Sequence, residues 1–183
     1  MKKIWIISVA AILTVSLTAC GAGDVTTTSQ GLPSKASSQV SSQASSQAAS
    51  STVKVEDSSV SDNLEGLEKY LAGNASVTGS PDSMRADMIG AKNGVRYKYG
   101  YSGKDNVILE LYEFDPNNLN TTAQKVISDV KAKGKFTLFN QQVNATLSKS
   151  GKYLMIYKNT ANDDANNSYG TQIKKLFTDF KAE

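Results

Sequence analysis

The chain has 183 residues, with 20 basic and 17 acidic side chains, a formal net charge of +3, one cysteine and no histidine. These counts exclude an intrachain disulfide, any histidine-based catalytic triad and the usual histidine-rich zinc site. Four of the basic and three of the acidic residues precede residue 61, so the remainder carries only +2, which gives no support to a nucleic-acid partner.

The first segment is an export signal over residues 1–19. Lys2 and Lys3 precede the apolar run Ile4-Trp5-Ile6-Ile7-Ser8-Val9-Ala10-Ala11-Ile12-Leu13, which is too short for a spanning helix. Instead of closing on a small-residue cleavage site alone, the run leads through Leu17-Thr18-Ala19 directly into Cys20 and Gly21. Leu17-Thr18-Ala19-Cys20-Gly21 resembles the lipobox of bacterial lipoproteins. That resemblance implies a diacylglyceryl group on the Cys20 sulfur, cleavage before Cys20, and a lipidated N-terminus on the outer face of a bacterial cell membrane. Two acyl chains anchor stably because each buried CH₂ contributes about 0.8 kcal/mol.

Residues 20–60 then read as a tether. Ser-Ser-Gln recurs at 37–39, 41–43 and 45–47, and no aromatic residue appears before Tyr70 once the leader is passed. A tract of this composition buries too little apolar area to offset chain entropy, so disorder is expected. On flexible-chain scaling roughly 40 residues span ~35 Å, and ~130 Å fully extended.

Residues 61–183 are expected to form a single domain. Asp62-x-x-Glu65 resembles a capping box, Leu64, Leu67 and Leu71 share a helical face, and Gly73 is the expected end. Ser80-Pro81 predicts a second helix with Met84, Met88 and Ile89 on its apolar side. A third helix is expected from Asn120 or Thr121 to Gly134, with Ala123, Val126, Ile127 and Val130 on one face. The fourth carries the stripe Tyr169, Ile173, Leu176, Phe177 and Phe180.

Strand signals lie between them. Val95, Tyr97, Tyr99 and Tyr101 alternate with Arg96, Lys98 and Gly100, and with 107–114 they predict a β-hairpin. Further strands are expected at 135–139, 143–147 and 153–157. The order ααββαβββα predicts an α+β fold: an antiparallel sheet of four to five strands with helices packed on one face. Tyr97, Tyr99 and Tyr101 then have two readings, as core or as an aromatic binding strip for sugar rings or partner side chains.

No catalytic constellation emerges. Ser128-x-x-Lys131 and Ser61-Asp62-Asn63 match fragments of penicillin-recognising enzymes, but the order is wrong and no K-T-G follows. Glu110 and Glu113 have opposite parity on one strand, so they cannot flank one sugar bond. Asn162 to Asn167 spaces oxygens faintly like a calcium loop, yet Asn167 stands where glycine is required and Ile173 where glutamate is required. A helix-capping loop is the better reading, and no metal or cofactor is expected.

The tract from Met88 to Tyr99, with Glu110 to Asp115 and Gly151 to Ile156, resembles small uncharacterised surface lipoproteins of Gram-positive bacteria. The resemblance implies a habitat, a Ser-rich tether and a compact α+β domain, and it transfers no catalytic residue. The expected function is a non-catalytic binding or interaction module at the cell surface, with a protein or glycan partner. A carboxylate-dependent cell-wall or glycan hydrolase is the alternative, and a small-solute-binding protein a weaker one.

Overall fold

Helix α1 runs from Leu64 to Ala75, and its buried residues Leu64, Leu67, Tyr70, Leu71 and Ala75 recur at the spacing that faces one side of a helix. Leu67 and Leu71 are fully buried, each contributing about 1.5–3 kcal/mol. In this computed structural model, residues 54–182 are described, and they fall within one unit of the chain. Cys20, the export signal and the Ser/Gln tract lie outside the described residues.

Two expectations about α1 are corrected. Its N-cap is Asn63, whose Oδ1 accepts from the Gly66 N–H at 2.8 Å, while Asp62 accepts from the Tyr153 hydroxyl at 2.6 Å. The helix also passes through Gly73 to Ala75, and Ser76 takes the left-handed cap at φ 51°. Gly73 answers to a close approach instead: a Cβ there would fall 2.2 Å from Val55 Cγ2. Val55 is bound to Asn74 through both its N–H (3.2 Å) and its carbonyl (2.7 Å), so the packed chain begins before residue 61.

The helix expected after Ser80-Pro81 does not form. Asp82–Ser83 is a short strand, β1, paired with Arg96 and Val95, and a 3-10 turn follows at Ala86–Ile89. The fixed φ of proline suits an extended edge as well as a helix start. Gly90, at φ 73°, then ends the segment before an α-helix has room to develop.

Strands β2 (Asn93–Tyr99) and β3 (Val107–Glu113) form the expected hairpin. Helix α2 spans Thr121–Lys133, capped by Asn120 Oδ1 on the Ala123 N–H at 2.9 Å and closed by Gly134. Strands β4 (Lys135–Leu138) and β5 (Gln141–Asn144) form a separate two-stranded ribbon. The strand expected over 143–147 is broken at Ala145, whose N–H bonds the Gly134 carbonyl at 2.9 Å, leaving Thr146–Leu147 as β6. Strand β7 (Tyr153–Asn159) and helix α3 (Asp164–Asp179) complete the fold.

The fold is α+β. Its main sheet has five strands in the order β1-β2-β3-β7-β6, all neighbours antiparallel. Tyr97, Leu109, Leu111 and Met155 lie on the face packed by α1 and α3, together with Ile173 and Phe177. Tyr112, Leu154 and Ile156 lie on the other, against Val126, Val130 and Phe136 from α2 and β4. Helices therefore cover both faces, where packing on one was expected. The signal was the near-continuous apolar run of β3, which reads as a strand buried on both sides.

Candidate functional site

The tyrosines of β2 belong to the core. Tyr97 is 7 % exposed and its hydroxyl donates to Glu68 Oε2 at 2.6 Å; Tyr99 is 4 % exposed and meets the Tyr169 hydroxyl at 2.6 Å. Burial pushes both phenols well above the ordinary tyrosine range, reinforced by the Glu68 and Tyr169 bonds. Tyr101, half-buried, stacks on Tyr169 with ring centres 3.8 Å apart and planes 11° apart. No aromatic strip is presented to solvent, because the odd positions of β2 face α1 and α3.

The carboxylates are likewise structural. Glu110 accepts from Arg96 Nη2 and Nε at 2.7 and 2.9 Å and from the Tyr112 hydroxyl at 2.9 Å, on the α2 side of the sheet. Glu113, 4 % exposed, points to the other side. There it accepts from the first N–H of α1, Leu64, at 3.3 Å and from Asn93 at 3.2 Å, with Lys152 Nζ 3.6 Å away. A carboxylate at this place satisfies an unpaired helix donor and complements the helix dipole. Asp62 completes the cluster: burial alone would raise its pKa, but bonds from Tyr153 and Lys152 hold it below the ordinary value.

The remaining motifs resolve into capping and surface roles. Ser128 and Lys131 are exposed on α2, and Asn63 caps α1. Asp163 caps α3, accepting from the Asn166 N–H at 3.0 Å and from its side-chain amide at 2.7 Å. Among the described residues no group of three or more acidic, histidine or cysteine side chains is placed to hold a metal. No helix among them is long and apolar enough to cross a membrane.

What the fold does provide is a groove of about 670 Å³ between the end of α2, β6, the turn after it and α3. Val130 and Leu147 are in its floor, Ser148 and Ser150 contribute hydroxyls, and Lys131, Lys149 and Lys174 line its sides. Lys149 is tied to Asp179 at 2.5 Å, whereas Lys131 and Lys174 form no ion pair among the described residues. Lys174 also borders a second hollow of about 350 Å³ beside Tyr157, Asn159 and Asn166. The second hollow lies along β7, whose outer edge β6 covers for only two residues.

An asparagine network behind the second hollow was not legible beforehand. The Asn106 amide donates to Asn159 Oδ1 and Asn166 Oδ1, each at 2.9 Å, and Asn106 Oδ1 accepts from the Tyr101 N–H at 2.9 Å. It anchors the loop that carries Tyr101 onto Tyr169. Its members are 53 and 60 residues from Asn106, and the groove draws on three separate segments, so no local spacing announces either. Comparison of the chain with protein-family models, with curated proteins and with solved structures finds no match.

Proposed function

We propose that the protein is an extracytoplasmic lipoprotein, held on the outer face of a bacterial membrane through lipid on Cys20, whose folded domain is a non-catalytic binding module for a cell-surface protein or glycan. The leader sequence supports the anchor. The observation that carries the non-catalytic reading is the separation of Glu110 and Glu113 onto opposite faces, each engaged by a basic side chain, with the Asp62 that shares Lys152 with Glu113 itself bonded by Tyr153. The groove bordered by Lys131 and Lys174 is a surface among the described residues open to such a ligand.

Two measurements on producing cells test this reading. Metabolic acyl labelling should tag the protein and be abolished in Cys20→Ser, with undiminished labelling counting against the anchor. Surface cross-linking should capture a partner whose yield drops in the double variant Lys131→Glu and Lys174→Glu. Equal capture would move the binding surface elsewhere.

A further inference from the structure

Lys174 borders three openings in succession. Besides the groove of about 670 Å³ and the hollow of about 350 Å³, it lines a further hollow of about 230 Å³. This further hollow shares Gly134, Ala145 and Thr146 with the groove, and Tyr157 with the hollow beside Asn159, so it joins the two. The three form one furrow that follows β7 from the turn before it to the loop after it, about 20 Å for a strand of seven residues. Such a length exceeds a single sugar ring.

The charge of the furrow has one sign. Lys131, Lys149 and Lys174 line it, and no acidic side chain among the described residues does. Asp179 takes up Lys149 at 2.5 Å and Lys175 at 2.6 Å, which leaves Lys131 and Lys174 with no ion pair among the described residues. A cleft lined by one sign of charge gathers ligands of the other. Its other walls are uncharged but hydrogen-bonding, with Asn144, Asn162, Asn167 and Thr171 exposed along it. Amides and hydroxyls both donate and accept, as sugar hydroxyls do. Where the two hollows meet stands the half-buried ring of Tyr157, seated against α3 because Gly170 lacks a Cβ, which would lie 3.1 Å from Tyr157 Cε1. Such a ring offers the C–H face of a sugar an apolar surface beside a polar hydroxyl.

Resting on the reading of the domain as a binding module, we propose that this furrow holds a linear acidic glycan, its carboxylates meeting Lys131 and Lys174 and its hydroxyls the amide and hydroxyl side chains around Tyr157. A neutral glycan would leave both lysines unanswered. An acidic peptide would meet the lysines, but with one donor and one acceptor per backbone unit it matches the amide and hydroxyl walls less fully than sugar rings that carry several hydroxyls each.

The test is binding of the full chain, purified in detergent, to polygalacturonate, polymannuronate and hyaluronate, with neutral dextran and poly-glutamate alongside. At least one acidic glycan should bind roughly tenfold or more tightly than dextran, poly-glutamate and its own disaccharide. The double variant Lys131→Ala and Lys174→Ala should lose roughly tenfold or more of that affinity. Lys104→Ala with Lys158→Ala, at two exposed lysines that line none of the three openings, should leave it unchanged. No binding to any of the three glycans, equal binding of dextran or poly-glutamate, or equal loss in the two double variants would each overturn the proposal. A partner captured on producing cells through Lys131 and Lys174, with no acidic glycan bound, would leave the binding module standing and overturn the ligand assigned to it.

Discussion

The hydroxyls of Tyr99 and Tyr169 lie 2.6 Å apart in the core, and Tyr169 donates onward to the Ala75 carbonyl at 2.8 Å. That second bond fixes the direction of the first, so Tyr99 is the donor and the chain runs Tyr99 to Tyr169 to the end of α1. Both residues come from distant parts of the sequence, 70 positions apart.

The direction makes the two tyrosines unequal. Removing the Tyr99 hydroxyl leaves Tyr169 still donating, and Tyr99→Phe should cost about 1 kcal/mol. Removing the Tyr169 hydroxyl strands a buried donor on Tyr99 and a carbonyl on Ala75, and Tyr169→Phe should cost about 2–3 kcal/mol. Urea unfolding of the two variants checks the order, and equal losses would contradict the assigned direction.

Gly90 and Gly134 both stand at positive φ, 73° and 65°, but in different surroundings. A Cβ on Gly90 would fall 2.5 Å from Asn120 Oδ1 and 2.6 Å from the Ala123 nitrogen, the two atoms of the α2 cap. A Cβ on Gly134 would meet nothing within 4 Å. Gly134→Ala should therefore cost only the backbone strain, about 1 kcal/mol. Gly90→Ala adds the loss of the cap, for about 2–3 kcal/mol in total. Melting temperatures measured side by side would show the difference.

Stability should have an acid limb and an alkaline limb, with no histidine to titrate between them. Lys149 and then Lys175 hold the Asp179 carboxyl at about 2, below its ordinary 3.8. A depressed carboxylate stabilises above its unfolded pKa, so this contribution is complete at neutral pH and disappears as pH falls from about 4 through about 2. Asp179→Asn should be the less stable form at pH 6, with the gap closing near pH 2.

At the other end, burial pushes Tyr169 up to about 12, against the bond from Tyr99 that pulls it down. A raised phenol favours the fold below its unfolded pKa near 10, and the contribution is lost as pH rises through about 12. Tyr169→Phe should accordingly soften the alkaline fall. A gap from the parent protein that stays constant from pH 9 to 12 would contradict this.

By itself the sequence determined the α+β class, the β2–β3 hairpin, helix α1 though not its cap, helix α2 from Asn120 to Gly134, and the apolar stripe of α3. These rest on contacts within a few residues, where periodicity and capping chemistry act directly. It also determined that Glu110 and Glu113 point apart, because parity along a strand is a local property. Tertiary structure decided the rest. Ser80-Pro81 could open a helix or an edge strand, and pairing with β2 selected the strand. Alternation in β2 could not choose between a core and a binding strip, and α1 and α3 chose the core. The groove and the asparagine network come from segments that meet only after the chain has packed, so they leave no trace in any short window of sequence.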